Sequence, residues 1–275
     1  MEAERIKNLK IVFMGAGNMA EALVNGLLGG SVFTPANISV CDPLPDRRNL
    51  FNDKYGVSTQ ENNADGVKGA DCIVLAVKPQ NVEAVLREIA RELSDDSLVL
   101  SIAAGVRTET LETLTGGEAR VVRAMPNTPA LIGMGITAIT AGSRAKEEDV
   151  ELAELMLGSV GQTVVVEEKD MDAVTAVSGS GPAYVFFLME NMIAAGEELG
   201  LDPKTARKLT CSTVEGAVRL MMESGCSAGE LRERVTSKGG TTAAALNHML
   251  GQGMDRDIVA AVKAAWARSV EIAKQ

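Results

Sequence analysis

Histidine is almost missing from this sequence: among 275 residues there is one, His248. It lies inside a helical segment and reads as structural rather than as a catalytic base. With no second histidine and no cysteine cluster, no metal site is expected. The four cysteines, Cys41, Cys72, Cys211 and Cys226, are widely scattered without C-x-x-C spacing. Isolated thiols of this kind suit buried positions in a reducing compartment rather than a disulfide framework. Positive charge is also short. A net charge of -10 argues against nucleic acid or an anionic membrane surface as partner. No stretch approaches the ~20 apolar residues of a membrane-spanning helix, and the charged start MEAERIKNLK leaves no room for the apolar region of a signal peptide. The expectation is a cytoplasmic protein of about two domains.

What is present is organised around residues 9–25, LKIVFMGAGNMAEALVN. Ile11, Val12 and Phe13 form a short apolar run, Gly15-Ala16-Gly17 break it, and Met19, Ala22 and Leu23 restore helical spacing. Strand, tight turn and helix in that order suit a dinucleotide. The first glycine permits the turn, and the second lets backbone approach a pyrophosphate. The helix N-terminus offers free N–H groups and the positive end of its dipole. Ala20, at the third fingerprint position, is small enough for helix–strand packing. An ordinary glycine turn would look similar, but its place directly after an apolar strand favours the nucleotide.

Residues 37–41 read as a second strand with Asp42 at its end, near the place where an acidic side chain bonds the adenosine ribose 2′-hydroxyl. Arg47 and Arg48 follow and could reach a 2′-phosphate instead, and Asp42 could equally be a turn residue, so NADH and NADPH both stay open. Residues 71–78, DCIVLAVK, form a continuous apolar run, as in a strand covered on both faces. Pro79 ends it, and Val82, Val85, Leu86 and Ile89 share one face of a helix over 81–93. Strands follow at 98–104 and 121–124, the latter running into Met125-Pro126-Asn127-Thr128-Pro129, an irregular loop fixed by its prolines. Alternation of strand and helix predicts parallel pairing in a doubly wound sheet. The turns after Val77, Ala103 and Met125 then emerge at the carboxyl edge, where such a sheet binds its ligand. Strands at 135–140 and 162–167, around a helix over 146–157, complete the sheet at one edge.

From Glu168 onward the pattern is helical, which divides the chain into an α/β domain over 1–167 and an all-α domain over 168–275. Ser178-Gly179-Ser180-Gly181-Pro182 leads into AYVFFLM, apolar all round. A helix with so little polar face is normally covered on every side, which in a small helical domain points to a partner subunit. Asp202 and Pro203 announce the next helix, carrying Leu209, Thr213, Ala217 and Leu220, and Ser227 with Glu230 forms a capping box for another. Two more helices are expected at about 242–250 and 257–273, the second with Val259, Val262, Trp266 and Val270 inward. In Thr236-Ser237-Lys238-Gly239-Gly240-Thr241-Thr242, two glycines precede a helix N-terminus. The loop could hold a small anion such as a carboxylate, with Thr241 and Thr242 touching it; a bare helix–helix loop is the alternative.

The segment LRERVTSKGGTTAAALNHM over 231–249, with the turn from Met14 to Ala20, Ala76-Val77-Lys78-Pro79, the Met125–Pro129 loop and Ser178-Gly179-Ser180-Gly181-Pro182-Ala183-Tyr184, resembles pyrroline-5-carboxylate reductase. The resemblance spans both domains, its motifs fall in the family's order, and the T-S-x-G-G-x-T segment is the most specific of them. It implies a Rossmann-type N-terminal domain and an all-α dimerising C-terminal domain. It further implies reduction of the cyclic imine L-1-pyrroline-5-carboxylate to L-proline by NADPH or NADH, the last step of proline synthesis. By the same resemblance, Met14, Gly15, Ala16, Gly17, Asn18 and Met19 form the cofactor turn. Asn63, Ala76, Val77, Lys78, Pro79, Ile102, Ala103 and Ala104 would line the path from adenosine to nicotinamide, and the spacing read above adds Asp42 as the candidate at the ribose. Gly239, Gly240 and Thr241 would grip the substrate carboxylate, Thr242 would bond the ring nitrogen and relay the proton, and Glu168 would approach the substrate. A homodimer or a ring of dimers is implied through the helical domain. Asp42 is a departure, because members using NADPH usually carry small or basic groups there.

Two other readings use the same start of the chain. A hydroxyacid dehydrogenase of related architecture needs a catalytic lysine on the helix after the Ser-Gly-x-Gly turn, where this chain has Tyr184, Phe186, Phe187 and Met189 and no lysine before Lys204. A nicotinamide-sensing regulator would have no use for the substrate clamp at Gly239 to Thr242.

Overall fold

The computed structural model describes residues 6, 8–30, 32–117 and 119–273, so most of the charged start read above lies outside the described residues. One sheet carries β1 (Ile11–Met14), β2 (Ile38–Cys41), β3 (Ser58–Gln60), β4 (Cys72–Leu75), β5 (Leu98–Ser101), β6 (Arg120–Met125), β7 (Gly135–Ala141) and β8 (Gly161–Val165), in the order β3-β2-β1-β4-β5-β6-β7-β8. Around the sheet lie α1 (Asn18–Gly29), α2 (Pro45–Tyr55), α3 (Asn63–Val67), α4 (Pro79–Ile89), α5 (Thr108–Leu114), α6 (Glu147–Gly158) and α7 (Met171–Val174). The helical part adds α8 (Gly181–Glu198), α9 (Pro203–Ser224), α10 (Ala228–Arg234), α11 (Thr241–Gly251) and α12 (Met254–Ile272).

The apolar runs become central strands because both faces of the sheet are covered. Ile11 and Phe13 join Val74, Leu98 and Leu100 with Leu23, Phe51 and Leu157 in one core. The alternate residues Val12, Met14, Ile73, Leu75 and Val99 pack with Val82, Leu86, Ile89 and Leu111 in the other. With a side-chain period of two, a strand buried on both faces must be apolar at every position. β1 pairs in parallel with β2 on one side and β4 on the other, so the strand order reverses at β1. That reversal opens a crevice at the carboxyl ends of β1 and β4, where ligands of doubly wound sheets bind.

Parallel pairing continues through β6, whereas β6 and β7 run antiparallel. The physical reason is their connection: a 3₁₀ turn, Thr128–Ile132, replaces the crossover helix that parallel neighbours need. β3 and α3 were not read from the sequence. β3 is a polar edge of three residues, and α3 is a short helix capped by the Asn62 side chain, which accepts from Ala64 and Asp65 N–H.

By contacts the chain forms two compact units, Met1–Ser180 with Ala265–Gln275, and Gly181–Ala264. α7, the π-type turn Thr175–Gly179 and the end of α12 therefore group with the sheet. In the second unit α9 begins as the sequence indicates, with Asp202 as N-cap, and α10 carries the Ser227–Glu230 capping box. Gly196 of α8 lets α9 approach, since a Cβ there would lie 3.1 Å from Ala206 Cβ. The buried face of α9 is Ala206 and Thr210, while Leu209 and Leu220 lie exposed. The expected inward face of α12 needs correction. Val259 and Trp266 are exposed, Val262 and Val270 are half-buried, and Ser269 is the buried residue.

Candidate active site

The glycine turn begins where β1 ends. Gly15 has φ +101°, and a Cβ there would stand 2.9 Å from both Ala76 O and Val77 Cγ1, so the turn presses against the end of β4. The Gly15 N–H donates to Cys41 O at 2.8 Å and the Ala76 N–H to Met14 O at 2.9 Å, which extends the ladder and fixes the turn on both sides. Gly17 is the N-cap of α1 and supplies no capping side chain. A Cβ at Gly17 would meet only Ala76 O, at 3.9 Å, so glycine leaves open the space in which a phosphate approaches backbone N–H groups. Ala20, in the first turn of α1, is fully buried. This cradle fits a dinucleotide pyrophosphate.

Around the turn the charged groups are already engaged. Asp42 Oδ2 accepts from Ala16 N–H at 2.8 Å and Oδ1 from Leu44 N–H at 2.9 Å. Arg47 Nε donates to Ala16 O at 2.6 Å and its Nη2 pairs with Glu21 at 3.2 Å. Arg48 donates to Asp42 O and Pro43 O and pairs with Glu61. Glu21 also accepts from Lys54 and Tyr55; the Lys54 bond is the main cause holding its carboxyl below the usual value. Cys41, buried beside the turn, has its thiol pushed up to about 12, chiefly by burial. It is inert as a nucleophile there.

The remaining expected cofactor residues fall on neighbouring strand ends. Ala76 continues β4, and Ile102 continues β5 through its N–H to Leu75 O at 3.1 Å. Val77 is half-buried and Lys78 exposed; Lys78 caps α4, with Pro79 in its first turn. Ile102 and Ala104 are half-buried and Ala103 buried. Asn63, in α3, donates to Glu88 of α4 at 2.8 Å. Four parallel strands thus deliver these residues to one edge because all their carboxyl ends point the same way.

Two contacts here escape sequence reading. Arg123 of β6, 2% exposed, forms an ion pair with Glu168 Oε1, while Arg123 Nη2 and Glu168 Oε2 are buried without hydrogen-bond partners. Glu168, expected near substrate, is therefore tied to the sheet by one oxygen. Asn127 reaches from the β6–β7 loop to Ser178, donating to its carbonyl at 3.5 Å and to its hydroxyl at 3.4 Å, and accepts from Ile136 N–H at 3.0 Å. The only sequence signal for the first contact is a charged residue inside the apolar run of β6.

In the helical unit, Gly239 has φ +74° and Gly240 is the N-cap of α11, again without a side-chain cap. A Cβ at Gly240 would stand 2.4 Å from Ser237 Oγ, so a side chain there would require the Ser237 hydroxyl to turn away. Thr241 is exposed, Thr242 half-buried, and His248 exposed farther along α11. The geometry presents bare N–H groups at a helix start, with hydroxyls beside them.

A family model described as pyrroline-5-carboxylate reductase dimerisation matches residues 168–272, and one described as NADP oxidoreductase coenzyme F420-dependent matches 10–105. A pyrroline-5-carboxylate reductase of Pseudomonas aeruginosa is 42% identical over 97% of both chains. The chain belongs to the pyrroline-5-carboxylate reductase family. Among solved structures of this reductase, that from Coxiella burnetii superposes with a TM-score of 0.90 at 38% identity, covering 98% of this chain and 100% of that one. The Plasmodium falciparum pyrroline carboxylate reductase, solved with NADP bound, gives 0.89 at 30% identity over 98% and 99%. The chain is thus an oxidoreductase of the reductase family, with a Rossmann-type sheet followed by the family's helical dimerisation region. Among the described residues, no helix is long and apolar enough to cross a membrane.

Proposed function

We propose that this chain reduces L-1-pyrroline-5-carboxylate to L-proline with NADPH or NADH, the last step of proline biosynthesis, as a cytoplasmic homodimer or ring of dimers. The observation that supports this reading is the full-length relationship: a reductase so named is 42% identical over 97% of both chains, a span that includes both domains. The dinucleotide-binding part is residues 1–167 and the substrate-binding and dimerising part 168–275.

Each group has a stated task. The N–H groups of Asn18 and Met19 hold the pyrophosphate over Gly15 and Gly17, with Met14 and Ala16 forming the floor of the turn. Asn63, residues 76–79 and residues 102–104 line the path to the nicotinamide, and Asp42 supports the ribose end. When bound, the reduced nicotinamide would supply the hydride that the imine carbon takes. Gly239, Gly240 and Thr241 hold the substrate carboxylate, and the Thr242 hydroxyl bonds the ring nitrogen and relays its proton. Glu168 lies at the substrate's approach. A protonated imine is already electrophilic, so orientation by the carboxylate clamp and one placed hydroxyl supplies much of the rate.

The test is oxidation of NADPH and NADH, followed by absorbance, with and without L-1-pyrroline-5-carboxylate. Substrate-dependent oxidation by either nucleotide is expected; none from folded, nucleotide-binding protein would overturn the reading. Thr242→Ala should lower turnover by about 100-fold while nucleotide affinity stays at the wild-type value. Equal loss of both would remove Thr242 from the substrate site.

A further inference from the structure

The loop after β5 is closed from outside by the last turn of α12. Gly105 has φ +77°, and a Cβ on it would stand 2.7 Å from Ile272 Cγ2, so the helix end rests directly on loop backbone. One turn earlier, the Ser269 hydroxyl, in a residue 4% exposed, donates to Asp172 Oδ1 at 2.6 Å. The other Asp172 oxygen faces the Arg107 guanidinium at 3.9 Å, and Arg107 is the N-cap of α5, where the same loop ends. Contacts group all of these residues in the sheet unit, including the final stretch from Ala265.

Residues 102–104 therefore sit in a short connection whose start is fixed by the β5 ladder and whose exit is fixed by Ile272 and Asp172. Within it, the Ala103 N–H has a 3.3 Å bond to Ser101 Oγ. Loop backbone that must become ordered on binding loses affinity through the conformational entropy it gives up. We propose that the last turn of α12, through Ile272 on Gly105 and Ser269 on Asp172, is a positioning element that preorganises residues 102–104 for the nicotinamide end of the dinucleotide. The proposal rests on the reading that residues 102–104 line the nicotinamide path. Its effect is confined to that end, because the pyrophosphate turn is fixed independently by Cys41, Ala76 and Asp42.

The experiment measures dissociation constants of the full chain for NADPH, NADH and ADP-ribose, which lacks nicotinamide, alongside KM and kcat. Ile272→Ala and Ser269→Ala should each weaken both dinucleotides by about fivefold and raise their KM in step, leaving ADP-ribose within about twofold. Ile272→Val, which keeps Cγ2, should retain wild-type affinities. Gly105→Ala should weaken the dinucleotides similarly. Adding Ile272→Ala to it should cost less than the sum of the two, since both disturb the one contact between residue 105 and residue 272, although the positive φ of residue 105 strains the alanine in either background. Equal loss of ADP-ribose and dinucleotide, loss in the valine variant as large as in the alanine one, or no change in any variant would overturn the positioning role. Wild-type protein that binds none of the three nucleotides would instead overturn the cofactor reading beneath it.

Discussion

At the scale of single residues, Asp42 shows how a fingerprint position acquires its role from the bonds it already makes. Both carboxylate oxygens accept backbone N–H groups, one from Ala16 inside the glycine turn and one from Leu44. Arg47 holds the next peptide of the same residue, donating to Ala16 O at 2.6 Å. The pair grips the turn from beneath, and a ribose hydroxyl is left only the remaining lone pairs of Asp42. Asp42→Asn would turn an amide N–H₂ toward one of the two backbone donors and lose a charge-assisted bond of about 1.5–3 kcal/mol. The expected result is weaker binding of NADH and NADPH alike, by about tenfold or more. Titration of both nucleotides checks it; loss of NADH affinity alone would show that the ribose contact of the carboxylate outweighs its hold on the turn. The position of Asp42 was legible from its spacing after the glycines. Its bonding was not, because sequence order does not say which lone pairs a turn occupies. Arg123 is hidden for a related reason: its partner Glu168 lies far along the chain, and no local period joins them.

At the scale of elements, legibility followed burial. β1, β4 and β5 stand out as apolar runs because helices cover both sides of them. β3 reads Ser-Thr-Gln and forms because the edge of β2 offers backbone partners, with no side-chain pattern to announce it. α3, five residues long, depends on its Asn62 cap and on one glycine. A Cβ at Gly66 would stand 2.0 Å from Cys41 Sγ, so α3 lies on β2 with a sulfur filling the place of a side chain. Gly66→Ala should therefore destabilise by about 1–3 kcal/mol through overpacking. With Cys41→Ala in the same chain, the nearest atoms to the new methyl become Val12 Cγ2 at 3.7 Å and Cys41 Cβ at 3.8 Å, which is ordinary contact. Chemical denaturation of the four proteins of this cycle should show the double variant more stable than the sum of the single changes predicts. Strict additivity would mean that the thiol and the glycine do not meet.

At the scale of the whole molecule, the helical unit exposes what a folded chain ordinarily hides. No residue of α8 is buried, and Phe186 and Phe187 are 64% and 68% exposed. Leu220 and Met222 on α9 are open as well. Large exposed apolar side chains of this kind suit an interface, and the family's dimerisation region spans these helices. Apolar periodicity reports that a face is covered but not which chain covers it. That is why Val259 and Trp266, read from the sequence as inward, are exposed in one chain, and why the all-round apolar helix reads as one that a partner covers. Phe187→Asp places a carboxylate on that exposed surface. Free chains leave it hydrated, whereas association through α8 would have to desolvate it at a cost of several kcal/mol, on the order of a whole dimer interface's surplus. Light scattering on the purified variant should give the mass of a single chain where the parent gives a multiple of two, with thermal unfolding still cooperative. Undiminished assembly would place the interface away from α8, and a monomer that also loses its cooperative transition would show Phe187 to be part of the fold of the helical unit itself.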